Sequence, residues 1–249
     1  MAGHSQFANI KHRKGAQDAK RAQKFTKLIR EIIVAAKQGL PDPDFNSRLR
    51  CVIIAAKKEN VPKDRIDTAI KSASGNTQND NYEEVVYEAY GPGNIALMIQ
   101  SLTNNRNRTA AELRHSLSKH GGKLGESGSV SFLFQHVGII AYKASVVKDF
   151  DSLFNIAIEL QALDVEENVT QDDIQEKIYH VICNIQDFGN VRDQLFKKFS
   201  DAEFSRLFWK SSDVIKIEDE EIQKKISNLI ESLENNDDVQ YIDSNFIFC

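Results

Sequence analysis

The chain of 249 residues carries few groups that do covalent chemistry. Its six histidines are scattered, and the closest pairs are His4 with His12 and His115 with His120. Neither pair has the i, i+4 placement that aims two ligands from one helix face, and there is no CxxC, so no metal site is expected. The run Gly121 to Ser129, GGKLGESGS, has the glycine density of a phosphate loop but lacks the GK[ST] ending that delivers a lysine to a terminal phosphate. Its other reading is a helix C-cap running into a turn. In Gly125-Glu126-Ser127-Gly128 the serine stands one place short of a nucleophile elbow. Cys51 is expected as a buried, inert thiol on an apolar stripe, and Glu166-Glu167 and Asp172-Asp173 as surface charge. No catalytic set, cofactor or small-molecule substrate is expected.

Cations are the informative groups. Met1 to Arg30 holds eight basic residues against one acid, Asp18. Within it, Lys11, His12, Arg13 and Lys14 precede a run with Lys20, Arg21, Lys24, Lys27 and Arg30. Clustered ammonium and guanidinium groups neutralise phosphates and release condensed counterions, which gives sequence-independent affinity for nucleic acid. Phe7 beside the run either stacks on an unpaired base or pins the N-terminal arm to the protein. A second patch, TNNRNRTAAELR over Thr103 to Arg114, sets Arg106 and Arg108 in an Asn-rich loop ahead of a helix N-terminus, with Arg114 further along. Exposed N–H groups and the helix dipole favour anions there. The two arginines therefore read either as phosphate contacts or as loop residues held by carboxylates such as Glu84 or Glu88.

The elements that position these groups follow from periodicity. Ala16 to Gln38 places Ala22, Phe25, Ile29, Ile32, Ile33 and Ala36 on one helix face, with Lys20, Lys24, Lys27 and Arg30 on the other. Gly39 and Pro41 end that helix. A second helix fits Asn46 to Glu59 with Leu49, Val52, Ile53 and Ala56 inward, and a third starts near Pro62 with Ile66, Ala69, Ile70 and Ala73. Ser74 to Asn81 reads as a linker. Strands are expected over Val85 to Tyr90, Ile95 to Leu102 and Val130 to Phe134, with a helix over Thr109 to His120 capped by a Thr109/Glu112 box. Gly138 to Phe208 then alternates β-α-β-β-α-β, the split βαβ order of ferredoxin-like units. The β-α-β tail from Val214 to Ile242 is too short to enclose a core and must dock elsewhere. The expected fold class is α+β in three domains: a basic helical bundle over 1–78, a discontinuous α/β domain over 79–135 plus 209–249, and an inserted acidic ferredoxin-like domain over 136–208.

The formal net charge of −4 conceals a block pattern. Met1 to Asp80 has 16 basic and 8 acidic residues, whereas Ser131 to Cys249 has 11 basic and 23 acidic. One part can meet a polyanion and the other cannot. With 41% hydrophobic and 27% charged residues, an ordinary globular composition, and no apolar run near the ~20 residues of a bilayer span, a soluble cytoplasmic protein without membrane contacts is expected. Three dispersed cysteines exclude a disulfide framework.

The opening MAGHSQFANIKHRKGAQDAKRAQKFTKLIREI resembles that of the YebC family, usually written MAGHSKWANIKHRK with KxFTKLIREI following. NYEEVVYEAYGPGNIAL, LTNNRNRTAAELRH, GSVSFLF and LENNDDVQYIDSNF are similar to its later signatures, so the likeness spans the chain. Gln6 and Phe7 stand where the family usually has Lys and Trp, which implies weaker stacking and one phosphate contact fewer. The resemblance implies the same three-domain fold, no enzymatic activity, and a cytoplasmic DNA-binding transcriptional regulator. Mitochondrial relatives resemble translational activators and some bacterial members resemble ribosome-associated factors, which implies ribosomal or transfer RNA as the alternative partner.

Overall fold

The computed structural model describes residues 3–73, 81–169 and 176–249, with side chains from residue 20 onward. Residues 74–80 of the expected 74–81 linker and the Asp172-Asp173 pair lie outside the described residues, as do the side chains of His4, Phe7 and His12.

Helix α1 (Gly3–Gln38) is followed by α2 (Ser47–Lys58) and α3 (Lys63–Ala73). The four residues of α2 expected inward are the four that are buried, Leu49, Val52, Ile53 and Ala56. They pack with Ile32, Ile33, Ala36, Ile66 and Ala69 into one core, against which Phe25, Ile29, Ile70 and Ala73 rest half-buried. Two expectations are corrected. Cys51 lies off the stripe and is only partly buried. Helix α1 begins at Gly3 rather than Ala16, so the Lys11–Lys14 run is helical backbone and not an arm; the stretch contains no proline to interrupt it.

Buried Asn46 joins α1 to α2 by capping both. Its Nδ2 donates to the carbonyls of Ala35 (2.8 Å) and Leu40 (2.9 Å), and its Oδ1 accepts from Leu49 N (3.0 Å). Gly39 is required by this arrangement, since a Cβ there would stand 2.6 Å from Asn46 Nδ2.

Beyond the helices, β1 (Glu83–Tyr90), β2 (Ala96–Thr103), α4 (Arg106–Lys119) and β3 (Lys123–Leu124) lead into β4 (Phe134–Lys143). Short α5 (Ala144–Val147), α6 (Phe150–Glu159), β5 (Asp164–Val169), β6 (Lys177–Cys183), α7 (Phe188–Phe199) and β7 (Phe204–Ser211) follow. The tail comprises β8 (Ile215–Ile217), α8 (Glu220–Glu234), β9 (Val239–Ser244) and β10 (Phe246–Phe248). One four-stranded sheet has the order β3-β1-β2-β9, a second β5-β6-β4-β7, and β8 pairs with β10 in parallel.

The second sheet is antiparallel throughout, with Ile140 opposite Val181 and Ser205, and Val165 opposite Val181. It is the ferredoxin-like arrangement, and its helix-facing residues Ile140, Tyr142, Val181 and Cys183 bury against Leu153, Ala157, Val191 and Leu195. Gly138 sits mid-strand because Phe188 covers it; a Cβ would meet the ring at 2.4 Å.

The expected strand over Val130–Phe134 is instead a 3-10 turn, Ser131–Leu133, and β4 starts only at Phe134. Its reason is chemical. The N–H groups of Gly128, Val130 and Ser131 all donate to the buried Glu88 carboxylate, at 2.7, 2.7 and 2.8 Å, so they are not free for a ladder. Of the two readings of the glycine-rich run, the turn is the one observed: Gly121 (φ +81°) follows the end of α4, and Gly128 (φ +87°) closes the turn. The concavity made by these N–H groups is an anion nest, and the protein's own Glu88 fills it.

The chain divides into two compact units. One comprises 1–86, 99–119 and 227–242, the other 87–98, 120–226 and 243–249.

Candidate nucleic-acid interface

The first of these units holds all twelve candidate cations. Lys11, His12, Arg13 and Lys14 lie on α1, and their side chains are outside the described residues. From residue 20 onward the stripe on α1 is not open along its length, which corrects the expected solvent-facing cationic side. Lys20 is exposed (68% of its side chain) and pairs with Glu231 at 3.2 Å. Arg21 is exposed and its guanidinium stands 5.3 Å from the centre of the Phe25 ring. Lys24 is exposed and pairs with Glu59 at 3.4 Å. Lys27 is half-buried and its Nζ donates to the carbonyl of Glu234 at 2.7 Å. Burial lowers the Lys27 pKa, against the opposing pull of Glu234 and Asp237. Arg30 is turned inward (15% exposed), with Nη1 2.7 Å from Asp238 Oδ1.

Asp238 is the centre of this inward group. Its carboxylate, 4% exposed, takes Arg30 on Oδ1 and Arg108 Nη2 (2.8 Å), Thr109 Oγ1 (2.6 Å) and Thr103 Oγ1 (3.2 Å) on Oδ2. Burial alone would raise its pKa; the Thr109 hydroxyl and the arginines outweigh that and hold the carboxyl below its ordinary range. Hydrogen bonding to Asp238 in turn raises the Arg108 pKa against desolvation.

The second patch also differs from expectation. Helix α4 starts at Arg106, three residues early, because Asn105 caps it: Asn105 Oδ1 accepts from Arg108 N at 3.1 Å. The Thr109/Glu112 box does not form, and Thr109 is instead fully buried on Asp238. Arg106 and Arg108 thus occupy a first helical turn rather than a loop. Carboxylates hold them, as one of the two readings had it, but different ones: Arg106 pairs with Glu83 (3.3 Å) and Arg108 with Asp238. Glu84 pairs with Arg48. Arg114 is exposed and forms no ion pair with any described residue. Among the candidates whose side chains are described, Lys20, Arg21, Lys24, Arg106, Arg108 and Arg114 are exposed, while Lys27 and Arg30 serve the interior.

Sequence reasoning missed Asp238 and Asn105, and gave Glu88 to the arginines, whereas it accepts from Gly128, Val130 and Ser131. Asn105 carried a signal, an amide side chain three residues before Arg108 at a helix start. Asp238 carried none, because its partners lie 130 and 208 residues away. In the other unit Lys210 pairs with Glu166 (2.7 Å) and Arg206 with Asp243 (2.7 Å). Among the described residues no group of three or more His, Cys, Asp or Glu is arranged to hold a metal ion, and no helix is long and apolar enough to cross a membrane.

A family model described as the TACO1/YebC protein N-terminal domain matches residues 5–76, and one described as the TACO1/YebC second and third domain matches 82–246. A "probable transcriptional regulatory protein" of Ehrlichia canis is 85% identical, covering 100% of both chains. Another so described, from Wolbachia pipientis, is 60% identical over 100% of this chain and 98% of its own. The crystal structure of a conserved hypothetical protein from Aquifex aeolicus is similar with a TM-score of 0.79 and 41% identity, covering 93% of this chain and 92% of that one.

Proposed function

As the chain belongs to the TACO1/YebC family of non-enzymatic regulatory proteins, we propose that it acts as a transcriptional regulator by gripping DNA phosphates with its basic helix α1. The observation that supports this is the exposure of Lys20, Arg21 and Lys24 on one turn of a 36-residue helix that also carries Lys11, His12, Arg13 and Lys14. Long cationic side chains on a helix ridge suit a phosphate backbone, with Arg106, Arg108 and Arg114 on α4 as further contacts. Arg30, anchored on Asp238, holds the helix in place and stays off the nucleic acid.

Phosphate contacts position a protein without reading sequence. The same cations therefore suit the phosphates of ribosomal or transfer RNA, and a ribosome-associated translation factor is the second reading. Reversing Lys11, Arg13, Lys14, Lys20 and Lys24 to glutamate tests both. Affinity for duplex or RNA falls, and the slope of log affinity against log salt flattens by about one unit for each phosphate that is no longer neutralised. Unchanged affinity with an intact fold refutes the basic-helix reading. Footprints at defined DNA sites then favour transcription, whereas co-sedimentation with translating ribosomes at physiological salt favours translation.

A further inference from the structure

Lys20, Gln23, Lys27 and Arg30 recur at intervals of three and four, so they form one stripe along α1. All four donate to a single eight-residue segment, Glu231 to Asp238, ESLENNDD, which has four acids and no base. The last turn of α8 contains no cation of its own. Its carbonyl end, the negative pole of the helix, is capped from α1 instead: Lys27 Nζ and Gln23 Nε2 both donate to Glu234 O, at 2.7 and 3.3 Å. A row of anionic and carbonyl oxygens thus lies where phosphate oxygens would lie on the same helix.

Contacts tighten from one end of this segment to the other. Lys20 and Glu231 are 68% and 60% exposed, and such a pair contributes only about 0–1 kcal/mol. Arg30 and Asp238 are 15% and 4% exposed, and their pair is an anchor. The Glu231 end is consequently the part that a phosphate polymer can replace, drawing on counterion release that a single carboxylate lacks.

Resting on the nucleic-acid reading above, we infer that the acidic end of α8, Glu231 to Asp237, is an internal competitor that occupies Lys20 and Lys27 until nucleic-acid phosphates displace it. Asp238 stays on Arg30 throughout and keeps the displaced segment tethered. The competitor lowers affinity for any polyanion and favours those that present several phosphates to α1 at once.

The test uses the full chain and a mixed-sequence DNA duplex. Glu231→Gln with Glu234→Gln removes two charges of the competitor; Asp201→Asn with Asp213→Asn removes two exposed charges elsewhere. At about 50 mM salt the first variant binds about fivefold more tightly than the second, a gain that fades as screening sets in toward about 0.5 M. In the unaltered chain, duplex binding speeds hydrogen exchange at the amides of Asn235 and Asn236, which bond back to Glu231 O and Leu233 O. Equal affinities of the two variants, or unchanged exchange on binding, overturn the competitor. Lys20→Glu with Lys24→Glu separates the two readings. If that reversal leaves duplex affinity intact, the nucleic-acid reading itself falls and the competitor with it. If it weakens binding while the Glu231/Glu234 variant shows no gain, the competitor alone falls.

Discussion

Arg30 Nη1 on α1 and Asp238 Oδ1 before β9 stand 2.7 Å apart with almost no solvent access, 208 residues apart in the chain. The same carboxylate also takes Arg108, so one buried acid ties the longest helix to α4. Breaking such a pair leaves the remaining charge buried without a partner, whereas breaking an exposed pair lets water take its place.

Stability should therefore separate the α1 cations that sequence treats alike. Arg30→Ala and Asp238→Ala each destabilise by about 3–5 kcal/mol, and Lys20→Ala by under about 1 kcal/mol. Urea titrations with matched m-values measure the difference. A loss at Lys20 equal to that at Arg30 contradicts the burial argument.

Histidine 180 supplies a pH dependence in the other unit. Burial lowers its pKa, with partial opposition from Glu166, while Nδ1 is held 3.1 Å from Asn168 Nδ2. Because its folded pKa lies below the unfolded value of about 6.5, the unfolded state binds the proton first. The contribution is complete above that value and is lost as pH falls through it toward the folded pKa. Denaturant midpoints recorded between about pH 7 and pH 5 fall in the unaltered protein, and His180→Phe removes part of that slope.

Glu88 should prove structural. Burial raises its pKa, but the N–H groups of Val130, Gly128 and Ser131 outweigh that and hold it low. Glu88→Ala leaves three inward N–H groups without an acceptor, at about 1–3 kcal/mol for each that water cannot reach. Hydrogen exchange at Gly128, Val130 and Ser131 then accelerates, while nucleic-acid affinity does not change. Glu88→Gln keeps one acceptor oxygen and loses less.

Local regularities are legible in the sequence and distant pairings are not. Spacing alone places Leu49, Val52, Ile53 and Ala56 inward, because a 3.6-residue period admits one buried face. The β-α-β-β-α-β order likewise leads to the antiparallel sheet β5-β6-β4-β7. The turn at Ser131–Leu133 reads as a strand because its residues are largely apolar, and the acceptor that bends it, Glu88, lies more than forty residues upstream. Lys27 and Arg30 fall on the solvent side of a helical wheel, which shows which residues share a side but not what covers that side. The segment that covers it becomes visible only when Glu234 and Asp238 are in place.

The separation of Arg30 from Asp238 also has a meaning in time. At synthesis rates of about 5–20 residues per second, Arg30 leaves the ribosome roughly 10–40 s before the carboxylate that neutralises it. The βαββαβ segment, contiguous in the chain, emerges whole within that interval. Vectorial translation thus delivers that whole segment while α1 still waits for its final partner.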